Sequence, residues 1–201
     1  SEMNVDVGSS VARSTLSANN DVALVVGGSL TDSDVSTSDG SIAAVVGGGV
    51  TNSSFQADAD VTLVVGGTVN NTDLQSNSAS VTATIGGSFV SGSIQSSAEA
   101  LIKVAVDFGA SIDADFLDLQ VGRDVLADAI LQSEFVLDLD GDDLGFQVGR
   151  DFNGQLAITG TFATGTPGTS QTVVGRDVGI NAKLNINAIE SAASADELIF
   201  G

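Results

Sequence analysis

An all-β, single-domain parallel β-solenoid of about 20 residues per coil is the fold this sequence predicts, and a right-handed coil is the hand expected of it. Three observations carry the prediction: a glycine period, an apolar alternation locked to that period, and a scarcity of aromatic residues. Gly8, Gly27, Gly47, Gly66 and Gly86 follow one another at gaps of 19, 20, 19 and 20 residues. One residue before each stands Val7, Val26, Val46, Val65 or Ile85; three after, Val11, Leu30, Val50, Val69 or Phe89; eight after, Leu16, Val35, Phe55, Leu74 or Ile94. Upstream the apolar positions recur every second residue, as in Val22 and Leu24, Ile42 and Ala44, Val61 and Leu63, Val81 and Ala83, which is the side-chain period of a strand. A unit this short cannot bury its apolar face alone, so neighbouring units must stack on it. Aromatics form only 4% of 201 residues against 42% hydrophobic overall, which predicts a narrow aliphatic interior filled by ladders of Val, Ile, Leu and Ala. The single Pro among 24 Gly agrees, because Pro removes a ladder donor and Gly permits sharp corners.

The regular coils are expected over residues 5–133. There the register continues through Gly109 with Ile112 and Leu117, and Gly122 with Val125 and Ile130, at offsets of three and eight. Gly149 and Gly175 keep the apolar residues before them and three after, but their gaps widen to 27 and 26, so residues 134–189 are read as coils with insertions. The inserted material is the acidic stretch around Gly141 and the small-residue stretch 160–168, both turn-forming in composition. Residues 1–189 thus make the solenoid domain, and 190–201 a C-terminal cap or assembly segment, read as a short helix or as a linker to a final apolar strand.

Corner chemistry changes along the chain. The Gly-Gly pair of the early coils becomes Gly122-Arg123-Asp124, Gly149-Arg150-Asp151 and Gly175-Arg176-Asp177. Stacked in register, these form a column of guanidinium groups beside a column of carboxylates, which is a structural charge ladder or, since Arg offers a planar donor fork, a site for an anionic group. Gln56, Gln75 and Gln95, each nine residues after its glycine, make a second polar column.

Asp and Glu number 26 against 6 Lys and Arg, for a net charge of −20, which argues against nucleic acid and anionic membranes as partners. No apolar run is long enough for a membrane span, so no membrane insertion is expected. Asp138, Asp140, Asp142 and Asp143 around Gly141 supply hard oxygen ligands on a turn and make calcium the one candidate cofactor, against the plainer reading of an acidic loop. Asp113, Asp115 and Asp118 form a second, weaker group. With no His and no Cys, Ser-His-Asp and Cys-His nucleophiles, His-ligated zinc and disulfides are all excluded. Carboxylate pairs remain, but sugar-cleaving sites add Trp or Tyr platforms, and the chain has neither; a non-enzyme is expected. The start, Ser1-Glu2-Met3, fits either a processed mature end or an expression remnant, and Asn52-Ser53-Ser54 and Asn70-Asn71-Thr72 are sequons that would accept glycans in a suitable secretory system. A Thr-x-Thr column of the kind that ice-binding solenoids carry is not found at Thr31-Asp32-Ser33, Thr51-Asn52-Ser53 or Asn70-Asn71-Thr72.

Units such as Val25-Val26-Gly27-Gly28-Ser29-Leu30 and Val121-Gly122-Arg123-Asp124-Val125 resemble the strand repeats of secreted, hemagglutinin-like β-solenoid surface proteins, over about residues 5–189. The resemblance implies an extracellular or cell-surface adhesin or structural module and carries no catalytic residues. The ends of a solenoid are sheet edges that must be capped, blunted or paired. Met3 and Val5 at one end and Leu198, Ile199 and Phe200 at the other are therefore the expected assembly residues, joining copies head to tail into a filament or matrix. The alternative expectation is a surface module that binds glycans or, less readily, ice through its polar face.

Overall fold

The structure is a computed structural model that describes residues 2–136, 145–161, 171–179, 182–188 and 197–200. Among these every regular element is a strand, every pairing between strands is parallel, and no helix is long and apolar enough to cross a membrane. The chain winds as a β-solenoid, each coil contributing to three faces.

Five-residue strands build the first face: Met3–Val7, Val22–Val26, Ile42–Val46, Val61–Val65 and Val81–Ile85. Their period-two sequence turns Val22, Leu24 and Val26 inward, and the same three positions are buried in the next three coils. Stacked in register, the central positions form one ladder: Val5, Leu24, Ala44, Leu63, Ala83, Ile102, Leu119 and Phe146. A second ladder at a narrow corner runs Val11, Leu30, Val50, Val69, Phe89, Phe108, Val125, Phe152 and Val178. The third face supplies Leu16, Val35, Phe55, Leu74, Ile94, Ile112, Leu131 and Leu156. These are the apolar offsets read from the glycine period, and in coils two to five each of them is buried.

The interior is less purely aliphatic than composition suggests. Phe55, Phe89, Phe108, Phe146 and Phe152 are among the largest fully buried side chains, and Phe89 meets Phe108 edge to face at 5.7 Å between ring centroids. Such a contact adds to area burial because the positive ring edge faces the negative ring centre.

Two assignments of register require correction. Gly109 is not a corner glycine: the column Gly27, Gly47, Gly66, Gly86 continues through Ala105, and then Gly122, Gly149 and Gly175. The turn from the third face to the next first face is continuous strand at this point, Gly92–Val104 and Ser111–Val121, with a register break between Ser96 and Glu99. That break shortens the coil from Ala105 to Gly122 to 17 residues, and Gly109 lies four residues past the column, 23 after Gly86. One coil on, the corner between Val125 and Ile130 is a residue longer, with Ala129 N–H donating to Leu126 O, so Leu131, and not Ile130, continues the third-face ladder; Ile130 is 40% exposed.

Glu197–Phe200 is a strand that pairs in parallel with Gln171–Val174 and adds one more rung to the first face.

Candidate functional site

At the corner after the first face the chain must turn where neighbouring coils touch backbone to backbone. A Cβ on Gly66 would come within 2.4 Å of the carbonyl oxygen of Gly47, and one on Gly86 within 2.5 Å of that of Gly66, which explains the glycine column. Two residues beyond the corners at Gly8, Gly27 and Gly86 lies a serine whose hydroxyl is an acceptor. Ser10 Oγ accepts from Ser29 N–H at 3.0 Å, Ser29 Oγ from Gly49 N–H at 3.2 Å, and Ser88 Oγ from Asp107 N–H at 3.3 Å. From Asp107 onward a carboxylate replaces the hydroxyl as acceptor. Asp107 Oδ1 accepts from Asp124 N–H at 3.3 Å, and Asp124 Oδ1 from Asp151 N–H at 3.1 Å.

The second carboxylate oxygen leaves room for an arginine from the following coil. Arg123 Nε donates to Asp107, Arg150 Nε to Asp124 and Arg176 Nε to Asp151, each at 2.8 Å, and in every case Nη2 donates to the other oxygen of the same carboxylate. The three forks are thus bidentate and run one way, from a coil to the coil before it. The charge ladder expected from the Gly-Arg-Asp motif is present, and it begins one coil earlier than the motif, at Asp107. Its signal was in the sequence: Asp107 lies two residues after Ala105, as Asp124 lies two after Gly122. Hydrogen bonding from Arg150 holds the Asp124 carboxyl below its ordinary range, and Arg176 does the same for Asp151. The guanidinium groups are raised in turn, first by those hydrogen bonds. Donor forks committed to carboxylates make this a structural ladder; Asp177, 72% exposed at its end, has Arg176 at 3.4 Å.

The neighbouring polar columns are also structural. Asp32, Asn52 and Asn71 occupy a left-handed corner with φ near 50°, where Asn52 Nδ2 donates to Asp32 and Asn71 Nδ2 to Asn52, both at 3.0 Å. Beneath them Ser33, Ser53 and Thr72 are buried and donate to the carbonyls of Thr31, Thr51 and Asn70. Gln56, Gln75 and Gln95 stack as expected, although Gln75 Nε2 donates to Asn77.

A shallow groove of about 400 Å³ lies on the outer side of the first face, lined by Thr84, Lys103, Gln120 and Gln147 beside the side-chain-poor corner of Gly86, Ala105, Gly122 and Gly149.

The candidate calcium ligands Asp138, Asp140, Asp142 and Asp143 lie outside the described residues. Asp113, Asp115 and Asp118 do not converge: the first two are exposed on one strand before the corner, Asp118 is buried beyond it, and no group of three acidic ligands forms among the described residues. Met3 and Val5 are half-buried in the first coil. Leu198, Ile199 and Phe200 belong to the strand paired with Gln171–Val174. Compared with known proteins, the chain matches no family model, no curated protein and no solved structure.

Proposed function

We propose that the protein is a non-catalytic, extracellular structural protein whose copies join end to end into a filament or matrix. The observation that supports this reading is the state of the first coil. Among the described residues Met3–Val7, Val11–Ala12 and Thr15–Ala18 each pair on one side only, and their inward residues Met3, Val5, Val7, Val11 and Leu16 remain half-exposed where the same positions one coil on are buried. Unpaired strand edges backed by apolar residues are a template for another chain. Residues alternate in the side to which they direct N–H and C=O. Met3 N–H donates to Asp21 O at 2.9 Å, so Asn4 and Asp6 direct theirs to the open edge. Joining unlike ends is a heterologous contact that does not close, and it yields a filament.

Negative-stain electron microscopy tests this, comparing the chain with Asn4→Pro and with a deletion of residues 196–201. Asn4→Pro removes a donor at the open edge without touching the bonds to the second coil. Filaments in the parent that shorten or vanish in both variants are the expected result. Uniform short rods in the parent would overturn the reading and leave glycan binding through the groove as the function to assay.

A further inference from the structure

The charge ladder uses one edge of each arginine and leaves the other. In Arg123, Arg150 and Arg176 the Nε and Nη2 atoms hold the carboxylate of the coil before, and among the described residues Nη1 makes no hydrogen bond. A guanidinium carries its N–H donors in a planar fork on two edges, so Nη1 and the remaining Nη2 hydrogen make a second fork on each arginine. The three side chains are 49%, 42% and 57% exposed. Arg150 N–H donates to Arg123 O and Arg176 N–H to Arg150 O, so the second forks stand in one column on successive coils. Gripping Asp107, Asp124 and Asp151 fixes each guanidinium in place, and the rotamer entropy that a ligand would otherwise remove is already lost on folding.

Beside that column lies the groove of about 400 Å³, within the size range of small-molecule sites. Gly122 and Gly149, which immediately precede Arg123 and Arg150, line it. Its wall is the outward column Thr84, Lys103, Gln120 and Gln147, held in register by strand pairing. With Lys103, four of the chain's six lysines and arginines gather around this one corner.

From this juxtaposition we infer that the groove and the arginine column bind an acidic glycan, with a sugar carboxylate on a second fork. A planar fork takes a carboxylate in two parallel N–H···O bonds, the match the same arginines already make on their other edge. The hydroxyl of Thr84 and the amides of Gln120 and Gln147 both donate and accept, as the hydroxyls around a sugar ring do. An acidic peptide shares the carboxylate but lacks those hydroxyls. The net charge of −20 opposes any anion at a distance. At physiological salt that opposition is screened beyond about 8 Å, so contact at the forks decides binding.

The site lies on the flank of the solenoid, and the inference stands apart from end-to-end assembly. Its test is titration calorimetry of the purified chain at physiological salt with three probes: trimannuronate, the same trisaccharide with its carboxyls reduced to alcohols, and a triglutamate peptide. Trimannuronate is expected to bind, and the other two about tenfold more weakly or worse. Arg150→Lys keeps the charge and a bond to Asp124 but has no second fork, and Gln147→Ala strips the groove wall. Each is expected to weaken trimannuronate binding roughly tenfold. Gln132→Ala, exposed on the third face, leaves it unchanged. Circular dichroism melts check that the variants are folded; where Arg150→Lys is not, Gln147→Ala decides. Absence of trimannuronate binding, equal affinity for the reduced trisaccharide, tighter binding of the peptide, or undiminished affinity in the folded variants overturns the inference.

Discussion

Gly66 and Phe108 are the residues on which the geometry presses hardest. At Gly66 an added methyl meets the Gly47 carbonyl, a backbone atom that cannot swing aside, so Gly66→Ala is expected to cost about 1–3 kcal/mol as overpacking. A urea midpoint measured against Gly8→Ala, where nothing lies within 4 Å, separates this clash from the loss of glycine as such. Phe108 is 0% exposed between Phe89 and Val125, and Phe108→Ala is expected to cost about 3–5 kcal/mol in the same assay. The corner position was legible in the sequence wherever glycine marked it and was misread at Gly109. The column accepts Ala105 in the sixth coil, so the close approach seen from Gly27 to Gly86 is not a requirement of every corner, and a rule written in glycines slips there. Asp107 was missed for a related reason: its neighbour is Val106 instead of an arginine, so it lacks the Gly-Arg-Asp signature while doing the carboxylate's work.

Among elements, the arginine–aspartate ladder has the clearest dependence on conditions. Asp124 and Asp151 have depressed folded-state values, so their contribution is fully present above the unfolded carboxyl value of about 3.9 and is lost as pH falls below it toward the folded values. Melting temperature is expected to drop through that acid window, and less so in Asp151→Asn. Arg150→Ala leaves Asp124, only 8% exposed, without its fork and is expected to destabilise the fold more than Arg176→Ala, whose partner Asp151 is less buried. Comparing the two melts at neutral pH checks the order. The inward positions of the first-face strands were legible from the second to the fifth coil because a period of two and a period of about twenty agree on them, and were lost beyond Gly86, where the register was read from Gly109.

For the whole molecule, charge and edges oppose one another. End-to-end joining brings two bodies of net charge −20 together, so it is expected to quicken and tighten as salt screens them. Light scattering at low and at physiological ionic strength measures this, and assembly that weakens with salt would mean that the joint depends on charge pairs. That the chain is a parallel solenoid followed from the glycine period and the apolar alternation locked to it. What its ends meet did not, because strand repeats select the same small set of residues whatever the partner.

Each coil bonds only to the coils on either side of it, and Val22, Ile42 and Val61 occupy one column. Excising residues 42–60 therefore joins Ser41 to Val61 and sets Val61 where Ile42 stood, leaving every other rung intact. The solenoid behaves as a ruler graduated in steps of about 4.8 Å, whose length, and with it the extent of any surface it displays, can be changed by whole-coil insertion or loss without designing a new fold.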